Sequence, residues 1–432
     1  MLWRCTLQGD RHPLKFSELP MADFLVLGAG MVGVSAALAL QAQGHAVTLI
    51  DRKEPGRETS FGNAGIIQAE AAEPYALPRD PMMLLRFALG RTNDVTWSMG
   101  GVTEMLPALW RYFRNSAPAR HAEISHTYVQ LTERSTRDHA PLIEAAGMEG
   151  LISRNGMGIL YRDQAGYEDA VADAERVART YGTRFRAVDG DEYVLEDPAL
   201  RKAPAGVIHW RDCWSCASPG GLTAGYADLL VRRGGRVLIG DAASLRQAGS
   251  GWQVQTAEGT VTAEQAVIAL GPWSPRLLAR FGYRIPMIYK RGYHGHFAAP
   301  HSPVRPFLDA ANGIVAAPMT GGLRLATGAA LVTRKSGANP RQLERGRAGI
   351  SDLIEVGERV DEPQWFGTRP CLPDMLPLVG AAPRHAGLWM NFGHGHQGFT
   401  LGPTTGALLA EMVAGRVPDE FSTLLPQTRL QR

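Results

Sequence analysis

The sequence has 432 residues, 45% hydrophobic and 20% charged, an ordinary globular composition in a chain too long for one core, so we expect two domains. Its formal net charge is +3, and the lysines and arginines are scattered, which argues against nucleic acid as a partner. It contains no run of about 18 apolar residues, which excludes an ordinary membrane-spanning helix.

Residues 1–20 mix charged residues with apolar ones and therefore lack the hydrophobic segment of a signal peptide. Met21 directly precedes the first predicted strand. We expect residues 1–20 to be a disordered extension, or to arise from an upstream start, and we expect a cytoplasmic protein.

The segment 23–51 has the pattern of a dinucleotide-binding βαβ unit. An apolar strand leads into Gly28-Ala-Gly30-Met-Val-Gly33, an Ala- and Leu-rich helix follows, and a second strand ends at Asp51. Gly28 permits a tight turn, Gly30 lets backbone N–H groups approach a pyrophosphate, and Gly33 lets helix and strand pack closely. The positive end of the helix dipole favours the phosphates, and Asp51 can accept hydrogen bonds from ribose hydroxyls.

The region after this unit begins with the loop 59–65, whose small residues let a backbone lie flat against a planar ligand. From about 79 to 150 the pattern is helical. Segments 81–89 and 105–113 are apolar enough either to pack on a substrate domain or to bind a membrane surface. Peripheral association with the inner membrane is therefore an open alternative.

Short strands and helices alternate in the rest of the chain. The order of a helix, a β-meander and a strand far downstream of the βαβ unit suits a flavoprotein better than a simple nicotinamide dehydrogenase. The predicted elements are a strand at 156–161, a helix at 167–181, a helix starting at 218, strands at 236–239, 251–256, 259–262 and 266–270, strands at 292–297, 313–318 and 323–327, a strand at 388–392, and a last helix with Pro403 in its first turn.

Two groups of residues resemble metal ligands, but neither is complete. Cys213 and Cys216 form the only close cysteine pair, and no second ligand pair completes a zinc site. His394 and His396 lie in a glycine-rich loop without a neighbouring carboxylate or thiolate. We predict no bound metal.

Six segments together resemble the FAD-dependent D-amino-acid oxidase superfamily, and are most similar to the bacterial D-amino-acid dehydrogenase small-subunit group and its glycine oxidase relatives. They cover nearly the whole chain after Met21. Asp51 stands where glutamate is common, and His396 and Gln397 replace small or apolar residues, so the substrate stays open. The segments are GAGMVG at 28–33, TSFGNAG at 59–65, VIALGPWS at 267–274, KRGYHGHF at 290–297, GTRPCLPDMLPLVG at 367–380 and GHGHQGFTLGPTTG at 393–406.

The resemblance implies an α/β fold with a Rossmann-like FAD-binding domain at 21–78, 205–283 and 363–432. It implies an α+β substrate domain with a mixed sheet at 79–204 and 284–362. FAD is the expected cofactor. The residues expected to bind it are Gly28, Ala29, Gly30, Met31, Val32, Gly33, Asp51, Arg52, Ser60, Asn63, Ala64, Gly65, Gly271, Trp273, Gly393, His394, Gly395 and Gly398.

The catalytic candidates are Arg369, Tyr293, His294 and His396. Arg369 can hold a carboxylate through two parallel hydrogen bonds and matches the substrate arginine of the family, whereas a surface salt bridge is the alternative. Alternate residues of a strand face opposite sides, so either Tyr293 or the pair His294 and His296 lines the pocket. A dedicated base is not required, and a histidine is the expected helper if one exists. The helix start at 393–398 would stabilise negative charge on the reduced flavin.

The expected reaction is oxidative deamination of a D-amino acid, with hydride transfer to flavin N5 and hydrolysis of the imine to a 2-oxo acid and ammonia. The nearest alternative is a secondary amine, such as D-hydroxyproline, a glycine or sarcosine type of substrate, or an opine, oxidised alone or within a larger complex. An RNA-modifying flavoenzyme and a non-catalytic electron-transfer subunit are the other classes. The electron acceptor (quinone, oxygen or a partner protein) and the oligomeric state stay open.

Overall fold

The computed structural model describes residues 21–90 and 92–430, so the extension predicted at 1–20 lies outside the described residues. The strands are β1 (Asp23–Leu27), β2 (Ala46–Asp51), β3 (Ile66–Ile67), β4 (Val95–Trp97), β5 (Ile152–Ser153), β6 (Met157–Tyr161), β7 (Phe185–Asp189), β8 (Gly206–Trp210), β9 (Trp214–Cys216), β10 (Arg236–Ala248), β11 (Gly251–Thr256), β12 (Gly259–Ala263), β13 (Gln265–Ile268), β14 (Ile288–Phe297), β15 (Phe307–Asp309), β16 (Ile314–Met319), β17 (Gly322–Thr327), β18 (Ala329–Leu331), β19 (Trp365–Cys371), β20 (Leu378–Ala381) and β21 (Leu388–Phe392). The α-helices are α1 (Met31–Ala42), α2 (Pro81–Ala88), α3 (Met99–Asn115), α4 (Pro118–Thr132), α5 (Ser135–Ala146), α6 (Gln164–Tyr181), α7 (Gly190–Glu196), α8 (Pro219–Arg232), α9 (Ser274–Ala279), α10 (Arg341–Ile350), α11 (Gly398–Val413) and α12 (Pro426–Arg429).

The first sheet has eight strands in the order β12-β11-β10-β2-β1-β13-β21-β20. Its five central strands, β10, β2, β1, β13 and β21, run parallel, so their carboxyl ends meet at one edge. Phe24 to Leu27 of β1 are all buried, as expected for a parallel strand covered on both faces. Ligands of such sheets bind outside the carboxyl ends of the strands.

The second sheet has ten strands in the order β4-β18-β14-β17-β16-β15-β6-β8-β7, with β19 paired to β14 beside this path. Two of its members, β8 and β19, fall in the ranges 205–283 and 363–432, which we predicted for the FAD-binding domain. The predicted FAD-binding ranges therefore include two strands of the second sheet, and the domain division stays a prediction. The local sequence of a strand does not show which sheet it joins. β8 pairs with β6 and β7, and β19 pairs with β14, so the partners come from other parts of the chain.

Helices α4 and α5 lie in the range predicted for the substrate domain, yet they pack against the first sheet's helices. Tyr128 of α4 and Ile143 of α5 belong to the same buried cluster as Leu38 of α1 and Leu408 of α11. An amphipathic pattern shows which face of a helix is apolar and not which partner covers it. In the described residues, no helix is long and apolar enough to cross a bilayer.

Most local predictions agree with these elements, and three differ. Pro403, predicted in the first turn of the last helix, lies inside α11, because that helix begins five residues earlier at Gly398. The helical region at 79–150 is interrupted by β4, and β10 continues to Ala248 instead of ending at 239. The extension of β10 pairs with β11 across an irregularity between Asp241 and Arg246. Gly147 and Gly182 end their helices with φ of 69° and 75°, left-handed values that glycine adopts without steric cost.

Candidate active site

A cavity of about 1130 Å³ extends from the glycine motif of the first sheet to the second sheet. Gly28 and Asp51 line it at the carboxyl edge of the first sheet, and Arg369 lines it from β19 of the second. Both sheets therefore form its walls, as expected for a site where a cofactor and a substrate meet.

The first turn after β1 has the geometry that its glycines predict. Gly28 has φ of +110°, and a Cβ on Gly33 would lie 1.8 Å from the carbonyl oxygen of Gly28. At the end of β2, Asp51 accepts hydrogen bonds from the N–H groups of Ala29 at 2.7 Å and Arg52 at 2.6 Å. Burial raises the pKa of Asp51, and the remaining lone pairs of its carboxylate are available to hydroxyl donors.

Arg52 is committed to protein partners at this end of the cavity. Its guanidinium donates to Glu58 through Nε at 3.0 Å and Nη2 at 2.8 Å, and it lies 4.5 Å from the centre of the Trp273 ring. Ser60 joins the 59–65 loop to α1, since its Oγ accepts from the N–H of Met31 at 3.0 Å. These contacts explain the position of Arg52 without a cofactor 2′-phosphate for it to bind.

Most residues predicted to bind the cofactor or act in catalysis line the cavity. Five do not, and four of these have packing or backbone roles. Ala29 donates its N–H to Asp51, and Gly33 packs on Gly28. A Cβ on Gly65 would lie 2.2 Å from the Cys216 carbonyl oxygen, and one on Gly393 would lie 2.5 Å from the Leu372 side chain. The fifth is His294. Those that line the cavity are Gly28, Gly30, Met31, Val32, Asp51, Arg52, Ser60, Asn63, Ala64, Gly271, Trp273, Tyr293, Arg369, His394, Gly395, His396 and Gly398.

The loop before α11 presents a second helix start to the cavity. Gly393 and Gly395 have φ of 92° and 60°, which allows the chain to turn into α11. The hydroxyl of Thr405 donates to the Leu401 carbonyl and lies 2.9 Å from Nε2 of His394, so Nε2–H is the donor in that contact. Burial lowers the pKa of His394 to about 3, which keeps the imidazole neutral.

Arg369 is fixed at the cavity by backbone carbonyls. Its guanidinium lies against Gly292, where a Cβ would be 2.9 Å from Nη2. Nη1 donates to the carbonyl of Gly328 at 2.7 Å and Nη2 to that of Thr327 at 2.9 Å. Among the described residues, no carboxylate lies within 4.0 Å of this cation, so the alternative of a surface salt bridge does not apply. The two carbonyls fix the guanidinium plane and leave N–H groups for a ligand.

Lys290 is a cavity cation that the sequence reading did not select. It stands directly opposite Arg369 in the antiparallel pair of β14 and β19, so both side chains leave the same face of the sheet. Its Nζ donates to the Tyr112 hydroxyl at 3.0 Å, and that hydroxyl donates to the carbonyl of Tyr75. Lys290 opens the segment KRGYHGHF, so the motif contained a usable signal. Tyr75 and Tyr112 lie outside all six matching segments and had none.

His396 lies beside these cations. Its ring centre is 4.8 Å from that of Tyr75. Burial, together with the charges of Arg369 and Lys290, lowers its pKa to about 3. The neutral imidazole can exchange hydrogen bonds with a ligand but adds no positive charge.

Of the alternatives predicted on β14, Tyr293 lines the cavity, whereas His294 and His296 do not. Tyr293 borders the cavity, but it is 2% exposed in the core of the second sheet and its hydroxyl accepts from the N–H of Asn339 at 3.3 Å. His294 stacks on Trp365 with ring centres 4.5 Å apart, and burial lowers its pKa to about 2. Alternation along β14 predicts faces, but it could not predict that a side chain from β19 would cover His294.

Comparisons with known proteins agree with this geometry. The model of the DAO family, described as FAD dependent oxidoreductase, matches residues 23–412. A D-amino acid dehydrogenase from Cereibacter sphaeroides is 31% identical over 410 residues, covering 91% of this chain and 92% of that protein. A D-amino-acid oxidase from Bradyrhizobium diazoefficiens is 28% identical over 404 residues, covering 91% and 95%. The crystal structure of glycine oxidase from Geobacillus kaustophilus has a TM-score of 0.70 at 22% identity, covering 94% and 98%.

Proposed function

Because the chain belongs to the DAO family and is an FAD-dependent oxidoreductase acting on CH–NH2 or CH–NH groups, we propose that it oxidatively deaminates a D-amino acid. The family, the α/β fold class and FAD, each predicted from the sequence, are confirmed. The D stereochemistry and a primary amine belong to the proposal, supported by relatives named for D-amino acids.

The residues of the cavity fit FAD. The turn at Gly28 and Gly30 leaves the start of α1 free of side-chain bulk, which suits a pyrophosphate, and Asp51 lies where ribose hydroxyls would need acceptors. At the opposite side, the start of α11 offers a positive dipole end. The bound flavin would accept the hydride from the substrate carbon.

Arg369 is the observation on which the proposed substrate class depends. A cation that faces a cavity, is fixed by two backbone carbonyls and has no carboxylate partner among the described residues suits a substrate carboxylate. Holding that carboxylate orients the neighbouring carbon, which is the requirement for hydride transfer.

The charges around this position also favour a reactive substrate amine. Two adjacent cations, Lys290 and Arg369, disfavour a protonated amine, and His396 is neutral. A neutral amine has the lone pair that expels the hydride, so this field explains how the site works without a dedicated base.

An anaerobic flavin-bleaching screen tests the proposal. We expect D-amino acids to bleach the 450-nm region of the bound flavin, L-enantiomers to do so much more slowly, and the products to be a 2-oxo acid and ammonia. Sarcosine, D-hydroxyproline, glycine and opines form the second panel. Bleaching by that panel alone would establish the secondary-amine alternative, and bleaching by neither would contradict both.

We also propose that the protein associates peripherally with a membrane surface. Helices α2 and α3 expose Met82, Leu85, Leu106 and Trp110, which are 49–61% accessible. Exposed apolar side chains next to basic ones are the composition of a helix that lies at a lipid interface, and Arg111 is an exposed neighbour. Such a position would suit a quinone as electron acceptor.

A further inference from the structure

A buried arginine of the second sheet holds the 59–65 loop, which belongs to the cofactor side of the cavity. Arg324 of β17 is 4% exposed, and its Nη1 donates to the carbonyl of Phe61 at 3.0 Å and to that of Asn63 at 2.5 Å. Ser60, Asn63 and Ala64 of the same loop line the cavity. One guanidinium therefore ties the cavity wall to the second sheet.

His296 and Glu362 fix the direction of that guanidinium. Nε of Arg324 donates to Nε2 of His296 at 3.0 Å, and Nδ1 of His296 lies 2.9 Å and 3.0 Å from the two carboxylate oxygens of Glu362. A guanidinium can only donate, so Nε2 is the acceptor and the ring proton is on Nδ1. Glu362 thereby selects the tautomer that receives Arg324, as carboxylates do for orienting histidines elsewhere.

The placement of a charge here needs a reason, since burying a cation is costly. Burial lowers the pKa of Arg324 to about 10, so it is charged at neutral pH. A metal site is the competing reading, because ligand atoms of His294, His296 and Glu362 lie within 4.8 Å of one another. Arg324 already occupies Nε2 of His296 and would repel a second cation, so the cluster serves the arginine.

An aromatic contact supports the same loop from the second sheet. The ring of Trp365 lies against Gly62, where a Cβ would be 1.9 Å from Cη2. Trp365 also lines the cavity and stacks on His294. The loop is thus held through its carbonyls and through one glycine, while its other side faces the cavity.

We propose that Arg324, oriented by His296 and Glu362, is a positioning residue for FAD. It fixes the carbonyls of Phe61 and Asn63 and thereby pre-organises the cavity side of the 59–65 loop for the cofactor. The inference rests on the use of FAD and is independent of the substrate, so it can fail or succeed whatever amine the protein oxidises.

The first experiment compares Arg324→Met with Arg162→Met. Arg162 is a matched control, because it directly follows β6 of the same sheet, its side chain is 20% exposed and pairs with the fully buried Asp309, and it does not line the cavity. We measure the Kd of FAD for the apoprotein, the visible circular dichroism of the bound flavin, and the Tm. Arg324→Met should weaken FAD tenfold or more and change the dichroism, whereas Arg162→Met should lower only the Tm. Equal Kd values and unchanged dichroism in both variants would overturn the proposal.

A second pair of variants keeps Arg324 and tests its orientation. His296→Leu removes the acceptor and should weaken FAD severalfold. In His296→Gln the amide oxygen can accept from Arg324 and the amide N–H can donate to Glu362, so this variant should recover most of the affinity. Equal FAD affinities for the leucine and glutamine variants would contradict the proposed role of His296 in orienting Arg324. If Arg324→Met does not fold, this pair of variants tests the proposal in its place.

Discussion

Arg291 and Arg369, on the paired strands β14 and β19, both donate to backbone carbonyls but differ in what they face. Arg291 of β14 is 3% exposed and donates to the carbonyls of Ser336 and Gly337, away from the cavity. Arg369 likewise donates to two carbonyls, yet it faces the cavity. The first arginine therefore ties down a loop, whereas the second retains donors for a ligand.

Arg369→Met should lower kcat/KM for a D-amino acid on the order of 30- to 150-fold, because a charge-assisted contact is lost. This corresponds to an increase of about 2–3 kcal/mol in the activation free energy. Arg369→Lys should recover part of this, since a lysine keeps the charge without the planar fork. Comparing kcat/KM for D-alanine and D-alaninamide tests whether the lost contact is with the carboxylate. The unmodified protein should prefer D-alanine, and the methionine variant should lose this preference.

Arg291→Met is the control for Arg369→Met, because it removes a guanidinium bound to two carbonyls outside the cavity. It should leave the preference for D-alanine intact in the folded, FAD-loaded fraction. An Arg369→Met variant that keeps FAD, turnover and preference would show that Arg369 does not hold the substrate carboxylate. Absence of turnover by the unmodified, FAD-loaded protein would instead argue for the non-catalytic electron-transfer alternative.

The sequence predicted Arg369 and His396 at the cavity, but it did not predict Lys290 beside them. Both the chemistry of carboxylate binding and the family resemblance indicated Arg369, and this prediction needed no knowledge of the residues around it. Strand alternation left open whether Tyr293 or the histidines of β14 line the pocket, and contacts from elsewhere decide it: Trp365 covers His294, whereas Tyr293 borders the cavity and bonds Asn339. Such contacts join residues far apart in sequence and leave no periodic pattern.

At the scale of elements, the two helices that begin at the cavity are packed against each other by glycine. A Cβ on Gly402 of α11 would lie 2.7 Å from Cγ of Met31, and one on Gly406 would lie 2.8 Å from the backbone of Ser35. Because both helices begin at the cavity, their close packing sets the position of both starts. The sequence motif containing these glycines was expected to bind FAD, but part of it serves helix packing.

Gly406→Ala should therefore destabilise the protein by about 1–3 kcal/mol, because the new methyl group meets backbone that cannot move aside. Chemical denaturation of the apoprotein measures the free energy of unfolding. Gly150→Ala is the control, since a Cβ there meets nothing within 4 Å, and it should be neutral or slightly stabilising. Equal stability of the two variants would show that α1 and α11 separate without cost.

At the scale of the whole molecule, the sequence predicted the first sheet better than the second. The βαβ unit, β13, β21 and α11 were recognised because glycine turns and apolar strands recur in the order of a flavoprotein. The pairing of β8 and β19 within the second sheet was not predicted, because strand pairing is non-local. The cavity lies between the two sheets, so its cofactor side was largely predictable and its substrate side was not.

The exposed apolar side chains of α2 (Met82 and Leu85) and α3 (Leu106 and Trp110), here called the apolar surface, also belong to this scale, because both helices border the cavity. Within α2 no described residue is buried, whereas the opposite face of α3 is anchored by buried Met105 and Tyr112. The tyrosine that anchors α3 thus also holds Lys290. The α3 part of the surface is therefore preformed and does not require refolding to meet lipid.

The double substitution Leu106→Asp and Trp110→Asp should reduce co-sedimentation with vesicles of phosphatidylglycerol and phosphatidylcholine by roughly tenfold or more, because two apolar side chains no longer leave water. Leu195→Asp is the control: this leucine is 83% exposed on α7, outside the surface, and its loss should leave binding unchanged. Because basic residues flank the surface, binding should also fall when phosphatidylglycerol is omitted or salt is raised. Absence of vesicle binding by the unmodified protein, or equal binding by the double variant, would contradict a membrane role for this surface.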